Sequence, residues 1–171
     1  MQRYNILWAD DEIDLLKPHI LFLNNKGYDV TEVNSGADAI DKCENNYFDI
    51  IFLDENMPGM TGVEATRQIA AMGRGTKVLV LTSHAEEEYL LPVLEAGASG
   101  YVRKTSADDD LIEALRVVAS DQVFLYPTAS KILLRGFKAA EERGDVHVQT
   151  GVGPRLAVVG NAAQGLHLAV A

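Results

Sequence analysis

Phe48-Asp49-Ile50-Ile51-Phe52-Leu53-Asp54-Glu55-Asn56-Met57-Pro58-Gly59-Met60-Thr61-Gly62 decides the fold. Its apolar run, Ile50 to Leu53, reads as a strand buried on both faces. The run ends on a carboxylate, Asp54, and a turn rich in Pro and Gly follows. An acid is thereby set at the carboxyl end of a central strand, the edge where open α/β sheets bind ligands.

Working outward, the same pattern recurs. Tyr4 to Ala9 reads as a strand that ends on Asp10-Asp11-Glu12. Ile13, Leu16, Ile20 and Leu23 then mark one face of a helix beginning near Asp11, with Pro18 inside the pattern and expected to bend it or cost stability. Gly27 stops that helix, and Tyr28 to Val33 is a second strand. Ser35 and Asp38 have the spacing of a capping box, which opens a helix running to about Asn45.

After the Asp54 strand, a helix is expected from about Val63 to Met72, closed by Gly73. Lys77 to Leu81 is a buried strand ending on Thr82-Ser83-His84. Ala85 to Ala96 reads as a weak helix, since it carries Glu86-Glu87-Glu88 and Pro92. Ser99 to Arg103 is a fifth strand, ending on Lys104. Ser106 and Asp109 match another capping box, and Leu111, Ile112, Leu115 and Val118 stripe the helix that follows. Five strands alternating with five helices specify an α/β, doubly wound parallel sheet with helices on both faces, built from right-handed crossovers.

Beyond Ala119 the pattern changes. Three parts are expected: residues 1–120 as the α/β domain, 121–145 as a linker helix, and 146–171 as a flexible tail or the remnant of a lost output domain. The tail contains no acid and one base, Arg155.

The chain of 171 residues is 47% hydrophobic and 23% charged, which is globular rather than disordered. Its formal net charge of −10 argues against nucleic acid or anionic membrane as partners, since both require cationic patches. A single cysteine, Cys43, excludes an intrachain disulfide and reads as a small packing residue. No apolar run approaches a membrane span of about 18 residues, and the expected location is cytoplasmic. His19, His147 and His167 lack ligand spacing and read as surface residues.

In a parallel sheet all strand ends lie along one edge, so Asp10, Asp11, Asp54, Thr82 and Lys104 converge. Gathered carboxylates repel unless they are neutralised. A hard divalent cation with oxygen ligands suits them, and Mg²⁺ favours phosphate oxygens. A lysine and a hydroxyl opposite the acids would hold phosphate oxygens by charge and hydrogen bond. The set fits phosphoryl transfer to a carboxylate.

These positions, spread over Tyr4 to Ala119, resemble the response-regulator receiver domain of bacterial two-component systems. The resemblance implies a flavodoxin-like (CheY-like) five-stranded sheet of order 2-1-3-4-5. It implies that Asp54 is the phosphoacceptor, served by a sensor histidine kinase or a small phosphodonor. Mg²⁺ would be held by Asp10, Asp11, Asp54 and the backbone carbonyl of Asn56. Thr82 and Lys104 would contact the phosphoryl group, and Tyr101, the switch aromatic, would turn inward as Thr82 moves. Glu55, Asn56 and His84 stand where receivers tune phosphoryl lifetime. Dimerisation or a partner would read the changed surface, and the domain would assist its own phosphorylation without being a turnover enzyme.

Ala96 to Tyr101, Lys104-Thr105 and Phe124 to Pro127 resemble the NarL/LuxR subfamily, which appends a helix-turn-helix module. The 26 residues after Asp145 lack its basic, amphipathic pattern. Asp10 to Gly27 and Asp54 to Gly62 resemble receivers attached to a phosphatase-like output domain instead. A truncated or hybrid NarL/LuxR-type DNA-binding transcriptional regulator is the alternative reading. A phosphohydrolase passing through an aspartyl phosphate would need an acid two residues past Asp54, where Asn56 stands. A nucleotide or flavin binder would need a Gly-rich loop after the first strand, and none is there. Taken singly, Asp10-Asp11 would cap a helix and Tyr101 would be an ordinary strand aromatic; their shared sheet edge gives them meaning.

Overall fold

The computed structural model describes residues 3–83, 86–105 and 108–142. Five parallel strands form the sheet: β1 (Asn5–Ala9), β2 (Asp29–Val33), β3 (Ile50–Asp54), β4 (Lys77–Thr82) and β5 (Gly100–Arg103), in the order β2-β1-β3-β4-β5. The α/β class and the 2-1-3-4-5 order are as expected. Pairing is in register from Ile6 with Ile50 through Ala9 with Leu53, and from Asp54 with Leu81. Asp54 thus stands at the carboxyl end of the middle strand.

Alternation along the strands builds two cores. Leu7, Ala9, Ile51, Leu53, Val78 and Val80 face one layer, and Ile6, Trp8, Ile50, Phe52, Leu79 and Leu81 the other. The first layer takes Ala39 and Cys43 of α2 (Gly36–Asn45), Ala65 and Ile69 of α3 (Gly62–Ala71), and Leu90 and Val93 of α4 (Glu86–Glu95). The second takes Ile20 and Leu23 of α1 (Lys17–Asn25) with Leu111, Leu115 and Val118 of α5 (Asp108–Ala119). Cys43 is a buried packing residue, as expected.

Pro18 departs from expectation. The chain after Asp11 first makes a 3₁₀ turn, Ile13–Leu16, and α1 begins only at Lys17. Pro18 therefore lies in the first helical turn, where a missing N–H leaves no bond unmade, and it does not bend a longer helix. The Ser35 cap is present, its hydroxyl accepting the Asp38 N–H at 3.1 Å. A full capping box that the sequence reading passed over, Thr61 with Glu64, starts α3. The pairing expected for Ser106 lies outside the described residues, as do His84, His147, His167 and the tail.

The expected linker helix is α6 (Pro127–Glu142), and it is packed rather than free. Phe124 makes a parallel bridge to Gly100 at the open edge of β5. Phe124 then enters the α1/α5 layer, while Leu125, Ala129 and Leu133 enter the layer of α2, α3 and α4. Among the described residues no helix is long and apolar enough to cross a membrane.

Candidate phosphoacceptor site

Four strand ends and the loops after them deliver the site. Asp10 and Asp11 follow β1, Asp54 closes β3, Thr82 closes β4, and Lys104 follows β5. Backbone bonds extend the ladder past the strands and fix these ends: Asp10 N–H to Val33 O at 3.2 Å, Glu55 N–H to Leu81 O at 2.9 Å, and Lys104 N–H to Thr82 O at 2.9 Å. Gly62 opens α3 hard against the acceptor strand. A Cβ there would stand 2.5 Å from the Asp54 carbonyl oxygen, so only glycine permits that approach.

Asp10, Asp11 and Asp54 each offer a carboxylate oxygen, all within 4.8 Å of one another. Asp10 and Asp54 are buried, and Asp11 is exposed. Lys104 lies between the buried pair, its ammonium 3.0 Å from Asp10 Oδ2 and 2.9 Å from Asp54 Oδ1. Burial pushes the Asp54 carboxyl above its ordinary range; Lys104 and the Asn56 N–H oppose this, and the Asp10 charge adds to it. For Lys104, burial acts to lower the ammonium's pKa, but Asp54 and Asp10 together hold it above the usual lysine value.

The donor set fits a hard divalent cation. Three carboxylates against one ammonium leave two formal negative charges at an all-oxygen site, partly open through Asp11. Asn56 is exposed beside them and donates its backbone N–H to Asp54.

Thr82 and Tyr101 lie on neighbouring strands, and each has a close partner. The Thr82 hydroxyl donates to Glu55 Oε2. Glu55, read from sequence only as a lifetime-tuning position, is buried at 2% exposure. Its ladder bond to Leu81 sets it beside the end of β4, a neighbour relation that only strand order reveals. Tyr101 is already buried, its ring centroid 5.6 Å from that of Tyr126. His19, expected at the surface, is partly exposed and pairs with Asp108 at 2.6 Å.

With this geometry in place, comparison with known proteins is decisive: the response regulator receiver domain family matches residues 6–116. The chain belongs to that family. The transcriptional regulatory protein DegU of Brevibacillus brevis is 36% identical over 137 residues, covering 71% of this chain and 58% of the relative. The chain thus spans a little over half the length of the relatives it matches first. Among solved structures, a LuxR-family two-component response regulator from Aurantimonas sp. is similar with a TM-score of 0.73 at 26% identity, covering 80% of this chain and 99% of that one. The receiver domain of the sensor histidine kinase PA1611 from Pseudomonas aeruginosa is similar with a TM-score of 0.63 at 28% identity, covering 70% and 99%; it carries a magnesium ion in its active-site cleft.

Proposed function

We propose that this receiver accepts a phosphoryl group on Asp54 from a sensor histidine kinase and switches conformation in response. The observation that carries the reading is Lys104 bridging Asp10 and Asp54 inside a three-carboxylate cluster at the carboxyl edge of the sheet. In the transfer, a carboxylate oxygen of Asp54 bonds to phosphorus as the bond from phosphorus to the donor nitrogen breaks, and that nitrogen keeps the electron pair. Lys104 is set to hold one of the phosphoryl oxygens, exchanging a carboxylate contact for it. Thr82 supplies a hydroxyl proton to another. Asp10, Asp11, Asp54 and the Asn56 carbonyl are the residues that would hold Mg²⁺. When bound, the ion supplies charge neutralisation for the transferring group.

The new contacts bias an equilibrium between two packings, and only their difference between the two states supplies that bias. Tyr101, beneath Tyr126 at the α4–β5–α6 side, is the residue through which Thr82 movement reaches the surface, where dimerisation or a partner reads it. The domain assists its own phosphorylation and dephosphorylation and is not a turnover enzyme. Some matched relatives, DegU among them, are transcriptional regulatory proteins by name, which supports control of gene expression as the output of the pathway this receiver serves.

Intact mass after incubation with Mg²⁺ and acetyl phosphate tests the reading. The expected result is a gain of one phosphoryl group that needs the metal and is absent in Asp54→Asn. An equal gain in the variant would remove Asp54 from the role.

A further inference from the structure

Among the described residues, Glu55 is a buried carboxyl side chain at the site to which the phosphoryl-transfer reading gives no task. Its backbone is held on both sides: the N–H donates to Leu81 O at 2.9 Å, and the carbonyl accepts from Gly62 N–H at 3.0 Å. The side chain leaves this fixed backbone into the interior, at 2% exposure, beside Thr82 at 3%. A carboxyl so deeply buried requires hydrogen bonds to offset its lost hydration. The Thr82 hydroxyl provides one, donating to Oε2.

A hydroxyl has a single proton to donate. While that proton is committed to Glu55, it cannot serve an oxygen of a phosphoryl group on Asp54. We propose that Glu55 is a positioning residue that holds the Thr82 hydroxyl in the resting arrangement and thereby sets how readily a phosphoryl group captures it. The inference rests on the assignment of Asp54 as phosphoacceptor. Its quantitative form is simple: if only a fraction of molecules has Thr82 released, the apparent dissociation constant of a phosphoryl mimic rises by the reciprocal of that fraction. Releasing Thr82 therefore tightens binding, and with a hydrogen bond to a carboxylate at stake the change is on the order of tenfold.

The test uses the full chain with the Thr82 methyl isotopically labelled, read by NMR and by titration with beryllofluoride in Mg²⁺. Glu55→Met keeps the side chain's length and removes the acceptor, while Glu55→Gln keeps an acceptor and removes the charge. In the unliganded Met variant the Thr82 methyl resonance is expected to move toward its position in beryllofluoride-saturated wild type. Beryllofluoride is expected to bind that variant about tenfold more tightly, and Gln to stay near wild type. In a Thr82→Val background the Met substitution should lose its effect, because the two residues act through one bond. Equal gains for Met and Gln would mean that Glu55 acts by charge alone and would overturn the inference. So would a Thr82 methyl and an affinity that Glu55→Met leaves unmoved. Undiminished beryllofluoride binding by Asp54→Asn is a separate failure: it overturns the reading of Asp54, and the inference falls with it.

Discussion

Cys43 shows how one buried atom makes the fold's stability depend on pH. Burial pushes its thiol up from 9.0 to about 11, against the pull of the nearby Arg74 charge. The folded state therefore keeps a proton that the unfolded chain releases first, so the thiol's contribution is complete below pH 9 and is lost as pH rises toward 11. Two pKa steps correspond to at most about 2.7 kcal/mol. At pH 8, Cys43→Ala should cost about 1 kcal/mol in lost packing. That deficit relative to wild type should shrink from pH 9 upward, vanish near pH 10 and reverse in favour of the alanine variant by about 11, in urea melts of both proteins. A deficit constant across that range would mean that the thiol does not stay protonated in the fold. At this scale the sequence was legible where a residue type is nearly diagnostic, as for Asp54 and Lys104 at strand ends. Glu55 was not, because its partner Thr82 lies 27 residues away and is brought beside it only by the pairing of β3 with β4.

Elements were read well wherever periodicity and caps agree. Apart from the start of α1, each strand and helix lies within a few residues of expectation, since buried parallel strands appear as plain apolar runs. Two local features were passed over, α1 starting at Lys17 and the Thr61–Glu64 capping box; what escaped as long-range was the placement of Phe124 to Leu133 across the edge of β5. Nothing in a run such as Val123 to Tyr126 states which edge it covers. That crossing depends on Gly100, which sits at φ +148°; a Cβ there would fall 2.2 Å from the Phe124 carbonyl oxygen. Gly100→Ala should thus strain the backbone and push the Phe124 bridge off the sheet, at a cost of about 2–3 kcal/mol. Hydrogen exchange localises the damage: the Phe124 N–H, which donates to Ser99 O at 2.8 Å, should lose protection while β1 and β3 keep theirs. Unchanged protection at Phe124 would show the edge tolerating a side chain.

At the scale of the molecule, α6 belongs to the core that also positions the switch. Leu125 and Ala129 are fully buried and Leu133 nearly so, in the same layer as Leu90, Val93 and Tyr101. Tyr126 covers the Tyr101 ring and accepts the Arg103 N–H at 3.3 Å, with the Arg103 guanidinium 4.6 Å over its own ring. The segment after α5 therefore closes an edge strand that would otherwise expose unpaired backbone and apolar surface. The sequence reading places a domain at 1–120 and a linker helix at 121–145, with the composition shift at Gly144-Asp145; the packing of Leu125, Ala129 and Leu133 runs across the first of these bounds. A chain ending at Ser120 should consequently be weaker than the full chain by roughly 3 kcal/mol, the burial of two or three large side chains less the entropy of ordering them. It should also bind the apolar dye ANS and self-associate as concentration rises, because the uncovered face is apolar and carries a sheet edge. The full chain should melt in one transition seen alike by Trp8 fluorescence, on the α1/α5 side, and by exchange of α6 amides. Were α6 a free linker, its amides would exchange far below the global transition and the shortened chain would match the full one in stability. Coincident transitions with a weakened short chain would instead make α6 a structural part of the receiver, whose loosening is felt at Tyr101.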